Sequence, residues 1–196
     1  MNLNQWQTIK AWPVHPGVIA LMILMAATRF HHFGTPLTLP DASLAVFFLG
    51  GLWFGGRGLF VGLLAEAGLI DVVAITQFNV SDFCISPAYV FLIPTYAAMW
   101  FGGKWSGQFK SLGLNALIPQ LLALLLSTTA AFLMSNGSFN LLSGRYPEWS
   151  WGQFFDGALQ YFPEYLSSTA TYVIVIVAAV KLFKLIPAFN SGHKTA

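Results

Sequence analysis

Residues 43–76 read SLAVFFLGGLWFGGRGLFVGLLAEAGLIDVVAIT, two apolar runs separated only by the tight link Gly55-Gly56-Arg57-Gly58. Reading that link as a turn between two helices decides the fold. It yields six candidate membrane spans, at 14–30, 43–56, 59–76, 85–102, 112–134 and 166–187. The composition agrees: of 196 residues 56% are hydrophobic and 8% charged, against about a quarter charged in soluble domains. The expected fold class is all-α integral membrane, one six-helix transmembrane domain over residues 1–196 in contact with the lipid bilayer. The first run, preceded by Trp6, Lys10 and Trp12, ends in Thr28-Arg29-Phe30-His31-His32 rather than at a small-residue cleavage site, so it reads as a retained span.

Positive charge orients the chain, because cytoplasmic loops keep an excess of Lys and Arg. With six spans one side receives Lys10, Arg57, Lys104, Lys110, Lys181, Lys184 and Lys194, and the other only Arg29 and Arg145. Merging the second and third spans would scramble this alternation. Both termini are expected in the cytoplasm. The net charge of +2 is scattered, with no basic block, which argues against a nucleic-acid partner. One Cys and four His leave no internal disulfide, no CxxC pair and no HExxH zinc motif, and no GxxxxGK[ST] phosphate loop occurs.

The chemically interesting residues then fall on the outer side. Arg29, His31 and His32 end the first span, Asp41 precedes the second, and Asp71 lies near the end of the third. Asp82, Phe83, Cys84 and Tyr89 surround the start of the fourth, and Arg145 sits in the last outer loop. That loop, Ser135–Tyr165, is long and aromatic. Trp151, Phe154, Phe155, Ala158, Leu159 and Phe162 follow helical spacing up to Pro163. The stretch reads as an amphipathic helix, lying either in the outer leaflet's interface or over the mouth of the bundle as a lid. Ser127, Thr128, Thr129, Ser167, Ser168, Thr169, Thr171 and Tyr172 are expected to form a polar lining in the fifth and sixth spans.

Cys84 reads either as a small packed residue or as a soft ligand. An unpaired thiol facing an oxidising compartment needs cover or use, and a thiolate prefers a soft or borderline metal, which this chain would have to receive already caged. His31 and His32 diverge by about 100° on a helix, so one of them at most faces a given site. Asp71 is a buried outer acid able to accept hydrogen bonds from a ligand's amides or from a neighbouring helix. Glu66 and the pairs Gly51/Gly55 and Gly58/Gly62 read as signals of close helix packing.

Six short hydrophobic helices in this length, an outward-facing pocket and a capping segment resemble the substrate-binding S-components of energy-coupling factor (ECF) vitamin transporters. The lone Cys84 after Asp71 and before Tyr89, with His32 ending the first helix, is similar to the solitary cobalamin-transporting members, the BtuM-like family of Gram-negative bacteria. The resemblance implies a transporter, not an enzyme, that captures cobalamin (vitamin B12) at the periplasmic side of the bacterial inner membrane. Cys84 would give a thiolate to the cobalt. Asp71, Tyr89, His32 and Arg145 would contact the corrin's polar groups, and Phe83 with the aromatic lid would cover the ring. A thiolate donor would also weaken the bond from cobalt to an upper ligand such as cyanide, so bound cyanocobalamin is expected to lose it. Members that share an ECF energising module carry Ala-xxx-Ala in the first helix; here Ala20 is followed by Leu24, and the solitary members work without a dedicated module. The alternatives are an S-component for another vitamin, with Cys84 only packing, or a membrane-integral sensory or scaffold domain.

Overall fold

The computed structural model describes residues 15–30, 39–78, 80–83, 85–109, 114–146 and 150–185. Among these the chain is all helical: α1 (Pro16–Arg29), α2 (Ser43–Trp53), α3 (Arg57–Phe78), a short 3-10 turn (Pro87–Phe91), α4 (Leu92–Ser106), α5 (Leu114–Leu142) and α6 (Trp151–Leu185). A turn does separate the two helices, but it is confined to residues 54–56. Gly55 takes φ 63° there, a conformation that costs glycine little, and α3 begins at Arg57. His15 caps α1, its Nδ1 accepting from the Gly17 amide, with Pro16 in the first turn. Ser86 and Pro87 open the 3-10 turn in the same way.

Among the described residues three helices are long and apolar enough to cross a membrane: Arg57–Phe78, Asn115–Leu142 and Trp151–Phe183. α1 and α2 are apolar but have only 14 and 11 residues, about 21 and 17 Å at 1.5 Å per residue. The structure corrects the reading of residues 135–165. Ser135–Tyr165 is not mainly loop: α5 runs to Leu142 and α6 starts at Trp151. Pro163 does not end the amphipathic helix. It lies inside α6, which joins the expected lid and the expected sixth span in one 35-residue helix of about 52 Å.

α2 is the central element. Ala45, Val46, Phe47, Phe48 and Leu49 are all buried, and no flank of this helix could carry a polar residue at low cost. It crosses α4 at van der Waals distance because both are glycine-bearing there. A Cβ on Gly51 would strike the Trp100 carbonyl, and one on Gly103 the Phe48 carbonyl; Gly50 lies against the Trp100 ring. Beside this crossing Phe47 stacks on Tyr96 at 4.2 Å, and Phe60 meets both Phe47 and Trp100 edge-on. The close-packing glycines at this crossing are Gly50, Gly51, Gly103 and Gly107, and Gly102 packs in the same way against Ser127 of α5. Gly55 is a turn residue, and Gly62 and Gly68 have open space where a side chain would be.

This packing predicts opposite responses to one added methyl group. Gly51→Ala or Gly103→Ala should destabilise the protein by about 1–3 kcal/mol. Gly62→Ala should be neutral or stabilising, since it only restricts the unfolded chain. Thermal unfolding in detergent checks this; equal effects at the three positions would contradict the crossing.

Candidate functional site

Arg29, at the C-terminal end of α1, is the organising residue of one end of the bundle. It is 2% exposed, and a cation so placed must spend its five N–H donors on protein acceptors. Nε and Nη2 grip the two carboxylate oxygens of Asp71 on α3, at 2.8 and 2.6 Å, the parallel two-bond geometry that guanidinium and carboxylate favour. Nε also reaches the Ala67 carbonyl at 3.3 Å. Nη1 donates to Ser43 Oγ at 2.9 Å and to the Tyr96 hydroxyl at 2.6 Å, and lies 3.4 Å from Asp41 Oδ2. Asp41 in turn caps α2, accepting from the amide and hydroxyl of Ser43 at 2.8 and 2.6 Å. The Thr28 hydroxyl accepts from the Ala42 amide. One guanidinium thus ties α1, α2, α3 and α4.

Tyr89, in the 3-10 turn before α4, donates to Asp71 Oδ2 at 2.6 Å. Of the expected site residues, Asp71 and Tyr89 are therefore in contact with each other, and the Asp71 carboxylate is committed to Arg29 and Tyr89 together. Phe83 and Arg145 form a second pair: the Arg145 guanidinium lies over the Phe83 ring, 4.6 Å from its centre, a cation–π arrangement. Phe139, near the end of α5, touches both Phe83 and Tyr146. His32 and Cys84 lie outside the described residues. In sequence, the segment holding Cys84 runs between these two anchors, with Phe83 held under Arg145 on one side and Tyr89 bonded to Asp71 on the other. Among the described residues no three His, Cys, Asp or Glu side chains converge on a point.

The expected polar lining of α5 and α6 divides. Ser127 and Thr169 are buried and spend their hydroxyls on carbonyls of their own helices, at Ala123 and Tyr165. Thr128 is buried too, and its Oγ1 has no partner among the described residues. Ser167 and Thr171 are exposed on the other side of α6, so the hydroxyls do not line one pocket. Glu66 is half-buried, and one of its carboxylate oxygens has no partner among the described residues.

The first turns of α6 carry aromatic residues on the bundle side. Trp151 and Phe155, stacked at 6.2 Å, precede the buried Thr169 and Val173 by 18 residues each, which is five helical turns. They share the bundle-facing side of α6, yet Phe155 is 58% and Leu159 78% exposed. Phe162, one turn further on, already meets Phe132 of α5 at 5.1 Å. The helix overshoots, and its apolar face projects past the elements that cover it lower down.

Arg29, Ser43 and Tyr96 were not among the site residues expected from sequence. A signal existed for the first: an Arg and an Asp at the same end of two apolar spans are each costly alone and therefore pair.

If the Arg29 cluster is as rigid as its bonds imply, Tyr89→Phe leaves the buried Asp71 short of a donor and should cost about 1.5–3 kcal/mol. Tyr172→Phe, which removes an exposed hydroxyl bonded to the Pro40 carbonyl, should cost less than half as much. Thermal unfolding of the two variants side by side checks this, and equal losses would contradict it. No protein-family model matches the chain, and no curated protein matches it.

Proposed function

We propose that this chain is a six-span inner-membrane protein that takes up cobalamin, receiving the corrinoid at the end of the bundle where Arg29, Asp71, Tyr89, Phe83 and Arg145 gather. The observation that carries the reading is the pair of anchors on either side of Cys84 in sequence: the Asp71–Tyr89 bond at 2.6 Å and the Arg145–Phe83 contact at 4.6 Å. Both ends of the short segment from Phe83 to Tyr89 are held, as a ligand-bearing loop between two helices has to be if it is to present one side chain reproducibly. In this reading the thiolate of Cys84 takes one axial position on cobalt, a soft donor to a borderline metal. Arg145 and the polar groups near Asp71 meet the corrin's amides and phosphate, and the aromatic overhang of α6 covers the apolar edge of the ring. His32, at the end of the first span, is a further contact. Both termini lie in the cytoplasm by the charge distribution, and the partners of this reading are cobalamin, the bilayer and either an ECF energising module or none.

Cobalamin is cargo in this account, and its colour is the assay. Protein purified from cells supplied with cobalamin should show a corrinoid absorption spectrum, and Cys84→Ser should shift or abolish it. Loaded with cyanocobalamin, the wild type should lose the cyanide-ligated spectrum while Cys84→Ala retains it. A colourless wild type that also fails to bind added cobalamin contradicts the reading and returns Cys84 to packing.

A further inference from the structure

On the side of α6 away from the aromatic overhang lies a groove of about 290 Å³, between Leu39 and Pro40 of the segment leading into α2 and Glu164, Ser167, Ser168, Thr171 and Tyr172 of α6. Its volume equals that of about ten water molecules, too small for a corrinoid and fit for a headgroup. The hydrogen bonds around it share one polarity. Ser167 donates to the Glu164 carbonyl and Ser168 to the Tyr165 carbonyl, and the Tyr172 hydroxyl donates to the Pro40 carbonyl at 2.8 Å. With those hydrogens already turned to the backbone, the oxygens offer lone pairs to the groove, beside the carboxylate of Glu164.

Glu164 has no ion pair among the described residues; the ion pairs found there are those of Arg29. Lys181, on the same helix, is 17 residues away, about 26 Å along the axis. Apart from the Thr171 hydroxyl, which can turn either way, the groove thus presents acceptors, and among the described residues it holds no cation. A phosphate or carboxylate would be repelled, whereas an ammonium group with three N–H donors matches it.

Its level in the fold says where such a group comes from. Along this side of α6, at helical spacing, the exposed residues above the groove are Gln153, Asp156, Gln160 and Tyr161, each with a polar group. Those below it are Ile174, Val175, Ala178 and Leu182, all apolar. The groove sits at the switch from one to the other, the depth at which a bilayer's headgroups meet its chains. Phe132 of α5 packs on Phe162 and Tyr165 at the same height, and the neighbouring Leu133 is half exposed.

We propose that this groove binds the primary ammonium headgroup of a membrane lipid, with Glu164 as counter-ion and the acyl chains lying along Ile174, Val175 and Ala178. Three bound N–H donors favour a primary ammonium over a trimethylammonium, which has none. The groove shares none of its lining residues with the proposed cargo contacts, and its test does not involve cobalamin.

The full-length protein in detergent is titrated separately with short-chain phosphatidylethanolamine, phosphatidylcholine and phosphatidylglycerol, and bound lipid is counted by native mass spectrometry. Phosphatidylethanolamine should bind about threefold to fivefold more tightly than the other two, the effect of one partly exposed ion pair. Glu164→Gln should remove that preference while Asp156→Asn, on the same side but above the groove, keeps it. Free ethanolamine at the same concentration should not displace the lipid. Equal binding of the three lipids, or a preference that survives Glu164→Gln, overturns the site. Displacement by ethanolamine overturns the lipid as the source of the ammonium.

Discussion

A guanidinium that is almost wholly removed from solvent constrains everything within reach of it, and one end of this bundle is arranged around that requirement. Arg29 cannot be neutral, so burial at the end of α1 obliges α3 to present Asp71, α2 to start at Ser43, and α4 to place Tyr96 below it. Leaving such a charge buried without its counter-ion costs about 3–5 kcal/mol, while the intact pair contributes much less net stability than its Coulomb attraction suggests. The cluster is better understood as setting position than as supplying stability. It fixes where four helices end relative to one another, and Tyr89 extends it to the segment that carries Cys84. Two carboxylates, Asp41 and Asp71, face one guanidinium, so the cluster keeps an excess of acceptor capacity toward the side where Asp41 is partly exposed.

Away from that end the fold depends on closeness rather than charge. α2 and α4 touch backbone to backbone through Gly51 and Gly103, which lets two short helices share a seam that larger residues would spread apart. The longer α5 and α6 pack beside them through Phe132, Phe162 and Tyr165. α6 then separates three jobs by side. One side meets the bundle and, past its end, exposes Phe155 and Leu159. Another turns polar residues outward from Gln153 to Thr171, and becomes apolar below that level.

The helical hairpin at 43–76 was legible because glycine and a single charge interrupt two apolar runs, and the first three helices fall within a few residues of their expected bounds, whereas α5 ends 8 residues later and α6 starts 15 residues earlier than the apolar runs suggested. The continuity of α6 was not legible, because Pro163 is a helix breaker by local rule and only tertiary packing decides whether a helix bends through a proline or stops. Glycine pairs four apart mark helices that can approach closely, but nothing in one sequence says which of them do. Gly51 meets a partner through α4, and Gly62 faces open space. For Asp71 the sequence left open a bond to a neighbouring helix beside a bond to ligand, and the structure shows the first. The partner, Arg29, lies 42 residues away, and pairing at that separation follows from the fold rather than from spacing. His32 and Cys84, the two residues on which the resemblance leans most, lie outside the described residues and rest on sequence alone.

Whether a single buried cation organises this end of the bundle is decided by a double-mutant cycle between α1 and α3. Unfolding free energies in detergent would be compared for wild type, Arg29→Met, Asp71→Leu and the two together. The account predicts that each single variant loses about 3–5 kcal/mol and that the double variant recovers most of it, since neither charge is then left buried alone. Single variants as stable as wild type, or losses that simply add, would contradict it.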